Sequence, residues 1–137
     1  MLNNAEIDMT DNPLLEPAVL ARGREIRRQV LGEKHVASSH AVDALSRPKT
    51  QLSEYVWSKI WARPGLSFKQ RSIANLAMLT ALNRPHELKL HVHGALNNGL
   101  TKEEISEVLL QTGVYCGLPA AVESFRIMQE VFKERGG

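Results

Sequence analysis

No stretch of the 137-residue chain sustains an alternation of apolar and polar residues with period two; its apolar side chains recur at steps of three and four. Two capping boxes reinforce the point. Ser67-Phe68-Lys69-Gln70 and Thr101-Lys102-Glu103-Glu104 each set a hydroxyl residue three places before a side chain that can reach back to it, the signature of a helix start. The chain is therefore expected to be all-α, a single domain of about six helices joined by short antiparallel connections.

The helix over residues 85–98 stands at the centre of this reading. Pro85 suits a first turn, Leu88, Val92, Ala95 and Leu96 make the buried stripe, and Asn98-Gly99 supplies a left-handed stop. Residues 1–13 lack periodicity and read as a flexible arm; residues 14–137 form the domain. Leu15, Val19, Ile26 and Val30 give a first helix ending at Gly32. Its Arg22, Arg24, Arg27 and Arg28, with Lys34, read as a solvated basic face. Residues 35–50 are the hardest to read, a short helix interrupted at Arg47-Pro48-Lys49. Leu52, Tyr55, Val56 and Ile60 then form a stripe beside Trp57 and Trp61, closed by Arg63-Pro64-Gly65. Ile73, Leu76, Ala77, Leu79 and Ala81 line the helix from Ser67, and Ile105, Val108, Leu109 and Thr112 the one from Thr101. Gly113 and Gly117 bracket a tight end before a restart at Pro119. The last helix sets Ala120, Val122, Phe125, Ile127, Gln129 and Phe132 inward.

Composition narrows the function. A formal charge of +2, with basic and acidic residues interspersed, gives no nucleic-acid footprint. No run is long and apolar enough to span a bilayer, and Glu6, Asp8 and Asp11 stand where a signal peptide would be basic and then apolar, so no membrane partner and a cytoplasmic location are expected. Cys116 is the single cysteine, which excludes an internal disulfide and multi-cysteine metal sites. No phosphate loop, metalloprotease motif or nucleophile elbow is present.

Chemistry concentrates on the central helix. Glu87 and His91 lie one turn apart, so they are either an ion pair at the edge of the core or an acid–base pair in which one orients the other. His91 and His93 point about 200° apart on a helix and make a poor metal site, so no metal is expected. His35, His40 and His86 read as surface or capping histidines.

The residues Arg27-Arg28-Gln29-Val30-Leu31-Gly32, Ile60-Trp61-Ala62-Arg63-Pro64-Gly65-Leu66, Arg71-Ser72, Leu76-Ala77-Met78-Leu79, Glu87-Leu88-Lys89-Leu90-His91 and Ala95-Leu96-Asn97-Asn98-Gly99 continue into Thr101-Lys102-Glu103-Glu104-Ile105, Glu107-Val108-Leu109-Leu110-Gln111-Thr112 and Tyr115-Cys116-Gly117-Leu118-Pro119-Ala120-Ala121. In that order, from about residue 22 to 132, they resemble the carboxymuconolactone decarboxylase family of the alkylhydroperoxidase-like superfamily. Peroxidase relatives carry a Cys-x-x-Cys four residues before a histidine. With that histidine set on His91, the cysteine positions fall on Arg84 and Glu87, so dithiol chemistry is absent. Two departures from the family pattern bear on the pocket: a short 35–50 region lacking the family's phenylalanines, and His93 in place of a common arginine.

The resemblance implies an alkylhydroperoxidase-like helical bundle and cofactor-free decarboxylation of 4-carboxymuconolactone, a small anionic lactone, to the enol lactone of 3-oxoadipate in the β-ketoadipate pathway of aromatic catabolism. It implies a homo-oligomer, a hexamer. Such a reaction asks for a proton donor, His91; a carboxylate that orients it and keeps it charged, Glu87; and a fork-shaped clamp for a carboxylate or oxyanion, Arg71. Trp61, Arg63, Arg84, His93 and Tyr115 are further pocket candidates. The alternatives are a related decarboxylase or lyase acting on another lactone, acid or polyketide-like ring, and a noncatalytic helical assembly protein.

Overall fold

The computed structural model describes residues 12–37 and 43–137. Every regular element among them is helical: α1 (Pro17–Leu31), α2 (Glu33–Ala37), α3 (Arg47–Tyr55) running into a π-helical turn (Val56–Trp61), α4 (Phe68–Ala81), α5 (Pro85–Asn97), α6 (Lys102–Cys116) and α7 (Leu118–Glu134). Both capping boxes form, Ser67 with Gln70 and Thr101 with Glu104. Pro85 occupies the first turn of α5. The arm expected over residues 1–13 lies mostly outside the described residues. Asn12, at its end, is buried and donates to the Gln51 carbonyl and to Glu54.

α5 lies between two apolar clusters of the described residues, a member of one and a neighbour of the other. Its Leu88, Val92 and Ala95 enter a core built with Leu76 of α4, Ile105 and Leu109 of α6, and Ile127, Met128 and Val131 of α7. Its other flank meets a second cluster, Ile26 and Val30 of α1 with Trp57 and Trp61 of the π turn. Asn97 and Asn98 fasten the end of α5 at this junction: Asn97 donates to the Val30 carbonyl at 2.8 Å, and Asn98 to Ser72 Oγ at 2.9 Å. α1 comes very close to the π turn, because Gly23 has no Cβ. One built there would lie 1.9 Å from Ser58 Oγ and 2.7 Å from the Ser58 Cα.

Three expectations are corrected. Arg47-Pro48-Lys49 is no interruption but the first turn of α3, where the missing proline N–H is harmless. The stripe Leu52, Tyr55, Val56 and Ile60 faces solvent, and Trp57, Ser58 and Trp61 face inward. Two apolar faces compete on this segment, and burying two indoles removes the larger apolar area from water. In α7, Val122 and Gln129 face outward, while Ala121, Ser124, Ile127, Met128 and Val131 are buried. The small Ala121 is needed there, since α6 approaches so closely that a Cβ on Gly113 would fall 2.7 Å from its methyl group.

Candidate active site

A cleft of about 840 Å³ opens between α1, α2, α3 and α5. Helical spacing assigns its walls. Arg24, Arg27, Arg28 and Leu31 share one face of α1; Lys49, Ser53, Glu54 and Trp57 share one face of α3 and the turn that follows; His86, Glu87, Leu90 and His91 flank the buried stripe of α5; His35 closes the side from α2. The size suits a small-molecule site.

His91 is the innermost titratable group of α5. Its imidazole lies nearly parallel to both indoles, with ring centroids 6.5 Å from Trp57 and 6.3 Å from Trp61, and the indoles stack on each other at 4.8 Å. Asn75 Nδ2 of α4 lies 3.4 Å from His91 Nδ1. Burial pushes the His91 pKa down to about 4, against an upward pull from Glu87 and with a further downward push from His35. The sequence expectation that Glu87 keeps the imidazole charged therefore holds in direction only: burial outweighs Glu87 and the ring is neutral near pH 7. His35 is pushed the same way, first by burial and then by Arg27, His86 and His93.

The cleft is rich in cations. Arg24 pairs with Glu54 at 2.7 Å, and Arg28 pairs with Glu25 and Glu33. Arg27 is half-buried; desolvation lowers its pKa and Glu54 opposes the shift, but a guanidinium keeps its charge at any ordinary pH. Lys49 adds a fourth cation, from the α3 wall.

Of the residues singled out from sequence, the structure brings His91, Glu87 and Trp61 together. The others lie elsewhere. Arg71 does not line the cleft; its Nη2 donates to the Arg63 carbonyl at 3.1 Å, and its buried Nε has no hydrogen-bond partner among the described residues. Arg63 is exposed, and Tyr115 is 81% exposed at the end of α6. Arg84 lines a shallow depression with Asn83 and Glu123. His93 points toward α7, its Nε2 3.3 Å from Glu134. Sequence reading passed over Arg27, Lys49, Trp57, His35 and His86 as site residues. The usable signal was the spacing of Arg24, Arg27, Arg28 and Leu31, which puts three guanidiniums and an apolar side chain on one helical face.

An all-helical bundle with an imidazole set beside a stacked pair of indoles at a cationic cleft, and with a single cysteine in the chain, defines a small-molecule site that cannot run dithiol chemistry. The profile of the carboxymuconolactone decarboxylase family matches residues 49–130, and the chain belongs to that family. It is 40% identical over 117 residues to the 4-carboxymuconolactone decarboxylase of Acinetobacter baylyi, covering 84% of this chain and 87% of that one. It is 35% identical over 125 residues to the nitrosuccinic acid decarboxylase npaB of Metarhizium robertsii, covering 90% of this chain and 87% of that protein. An uncharacterized 15.0 kDa protein of Paracoccus denitrificans is 36% identical over 86 residues, 61% of this chain and 63% of its own length.

Proposed function

We propose that the protein is a cofactor-independent carboxy-lyase that converts 4-carboxymuconolactone to the enol lactone of 3-oxoadipate, with His91 as the proton donor. The observation that carries this reading is the cleft itself, which has a desolvated imidazole near Glu87 on one wall and the cations Arg27 and Lys49 on others. The relative from A. baylyi, with its matching name and extent, supports the choice of substrate.

The chemistry follows from what such a substrate needs. Breaking the bond between the ring carbon and its carboxylate releases carbon dioxide and leaves an electron pair, which passes through the ring double bond into the lactone carbonyl. The resulting dienolate accepts a proton at the carbon beside that carbonyl. The substrate contains its own electron sink, so the reaction calls for no cofactor. Arg27 and Lys49 hold the two carboxylates, a role for which Arg71 is not placed. A dianion entering the cleft adds negative charge near His91, and together with Glu87 it reverses the effect of burial so that the ring takes up a proton. The imidazolium then donates its Nε2 proton to that carbon, and the neutral ring left behind regains a proton at Nε2 from water. Stabilisation of the dienolate oxygen falls to the same cationic wall.

The npaB relative favours a second reading, in which the same cleft takes a dicarboxylate whose electron sink is a nitro group. We further propose a homo-oligomer, the hexamer implied by the family resemblance, working in the cytoplasm within the β-ketoadipate pathway. Support for assembly comes from Leu110, Val114, Tyr115, Leu118 and Val122, large side chains left exposed around the α6–α7 junction. No helix among the described residues is long and apolar enough to cross a membrane.

The test is carbon dioxide release by the purified protein from 4-carboxymuconolactone and, in parallel, from nitrosuccinate. Turnover of the lactone with kcat/KM at least tenfold higher supports the first reading; preference for the nitro acid supports the second. Arg27→Met is expected to raise KM at least tenfold with the fold intact. An unchanged KM would remove Arg27 from substrate binding.

A further inference from the structure

We propose that Asn75 is a positioning residue for His91: its side-chain amide holds the imidazole so that Nε2 serves the cleft, and it matches the ring in both of its protonation states. This rests on the reading of His91 as the proton donor and deepens it. No motif singled out in the sequence includes Asn75. It reaches the site only because α4 packs beside α5, which sets its Nδ2 3.4 Å from His91 Nδ1.

The argument is one of donors and acceptors. An amide nitrogen can only donate, so as the side chain is oriented Nδ1 must accept, and a neutral imidazole that accepts at Nδ1 carries its proton on Nε2. The two indoles lie nearly parallel to the ring and fix its plane. When the ring takes up a second proton, Nδ1 becomes a donor. An amide meets that change by turning over to present Oδ1, so one side chain satisfies the neutral and the charged ring in turn. A carboxylate at the same place would match only the charged ring, and an apolar side chain would match neither. The surroundings supply charge but not this match: Arg24, Arg27 and Arg28 line the cleft from α1, His35 from α2, Lys49 and Glu54 from α3, and His86 and Glu87 from α5 itself, whereas α4 contributes the uncharged Asn75.

Histidine nitrogen-15 NMR of the intact, unliganded protein at pH 7 reads the tautomer without reference to activity. The expected spectrum for His91, assigned by its loss in His91→Gln, shows a pyridine-type Nδ1 and a pyrrole-type Nε2. A pyrrole-type Nδ1 would overturn the proposal. In Asn75→Asp the carboxylate should hold the charged ring, moving the His91 titration up by at least one pH unit and carrying the pH limb of turnover with it. In Asn75→Leu, kcat should fall at least tenfold while KM changes less than threefold. If the His91 titration is unmoved in Asn75→Asp, and both variants lose only melting temperature, Asn75 is a packing residue and the proposal fails. A fully active His91→Gln would remove the role of His91 in turnover while leaving the tautomer measurement standing, so the two failures are distinguishable.

Discussion

A histidine that the folded chain keeps neutral couples stability to pH. The unfolded chain binds a proton at this side chain near its ordinary pKa of 6.5, and the folded chain only near about 4. As pH falls through that window the unfolded state takes up a proton that the native state refuses, so stability is lost progressively, by about 3–4 kcal/mol at the limit. The loss levels off below the folded pKa. Urea titrations between pH 7 and 4 should show this slope, and His91→Gln should flatten it; an equal slope in both proteins would mean that His91 is not the group responsible. Kinetics should separate the same residue's two environments. The limb for loss of the protonated donor is expected near pH 4 in kcat/KM, which reports the free enzyme, and at higher pH in kcat, where the bound dianion supports the charge. That His91 and Glu87 lie side by side on the cleft was legible in sequence, because both sit on one short helix. Arg27 and Lys49 were not, because their relation to His91 exists only once α1 and α3 fold across α5, and the sequence of α1 alone is equally compatible with a solvated face.

The element that positions the site most tightly is the π turn at Val56–Trp61, held against α1 through Gly23. Gly23→Ala would place a methyl group 2.7 Å from the Ser58 Cα, a conflict that rotating a side chain does not relieve. The expected cost is about 1–3 kcal/mol, measured by denaturant unfolding, with reduced turnover because Trp57 moves off His91. Ser58→Ala is expected to be neutral or stabilising, since the Ser58 hydroxyl is buried with no hydrogen-bond partner among the described residues. A large destabilisation in Ser58→Ala would show that the hydroxyl is bonded after all. Helix starts at Ser67, Pro85 and Thr101 could be read from local chemistry, because caps are local. Which face of the 47–61 segment turns inward could not. Leu52, Tyr55, Val56 and Ile60 compete with the tryptophans, and the outcome depends on Ile26 and Val30 of another helix.

At the scale of the whole molecule, fold class and family were legible because helical periodicity runs through the chain and the matching segments keep one order. The proposed assembly draws its support from exposed apolar side chains, notably Val122, which helical spacing sets inward and which is 60% exposed. Leu110→Glu combined with Val122→Glu should convert an oligomer into smaller species in sedimentation, while a wild-type protein sedimenting as one chain at micromolar concentration would refute the assembly. The central claim is that this cleft decarboxylates its substrate by proton donation from His91. The most direct measurement is the rate of 4-carboxymuconolactone decarboxylation by wild-type and His91→Gln proteins, with helicity checked by circular dichroism. A fall of roughly two to four powers of ten in a folded variant is the expected result; a folded His91→Gln protein with wild-type turnover would contradict it.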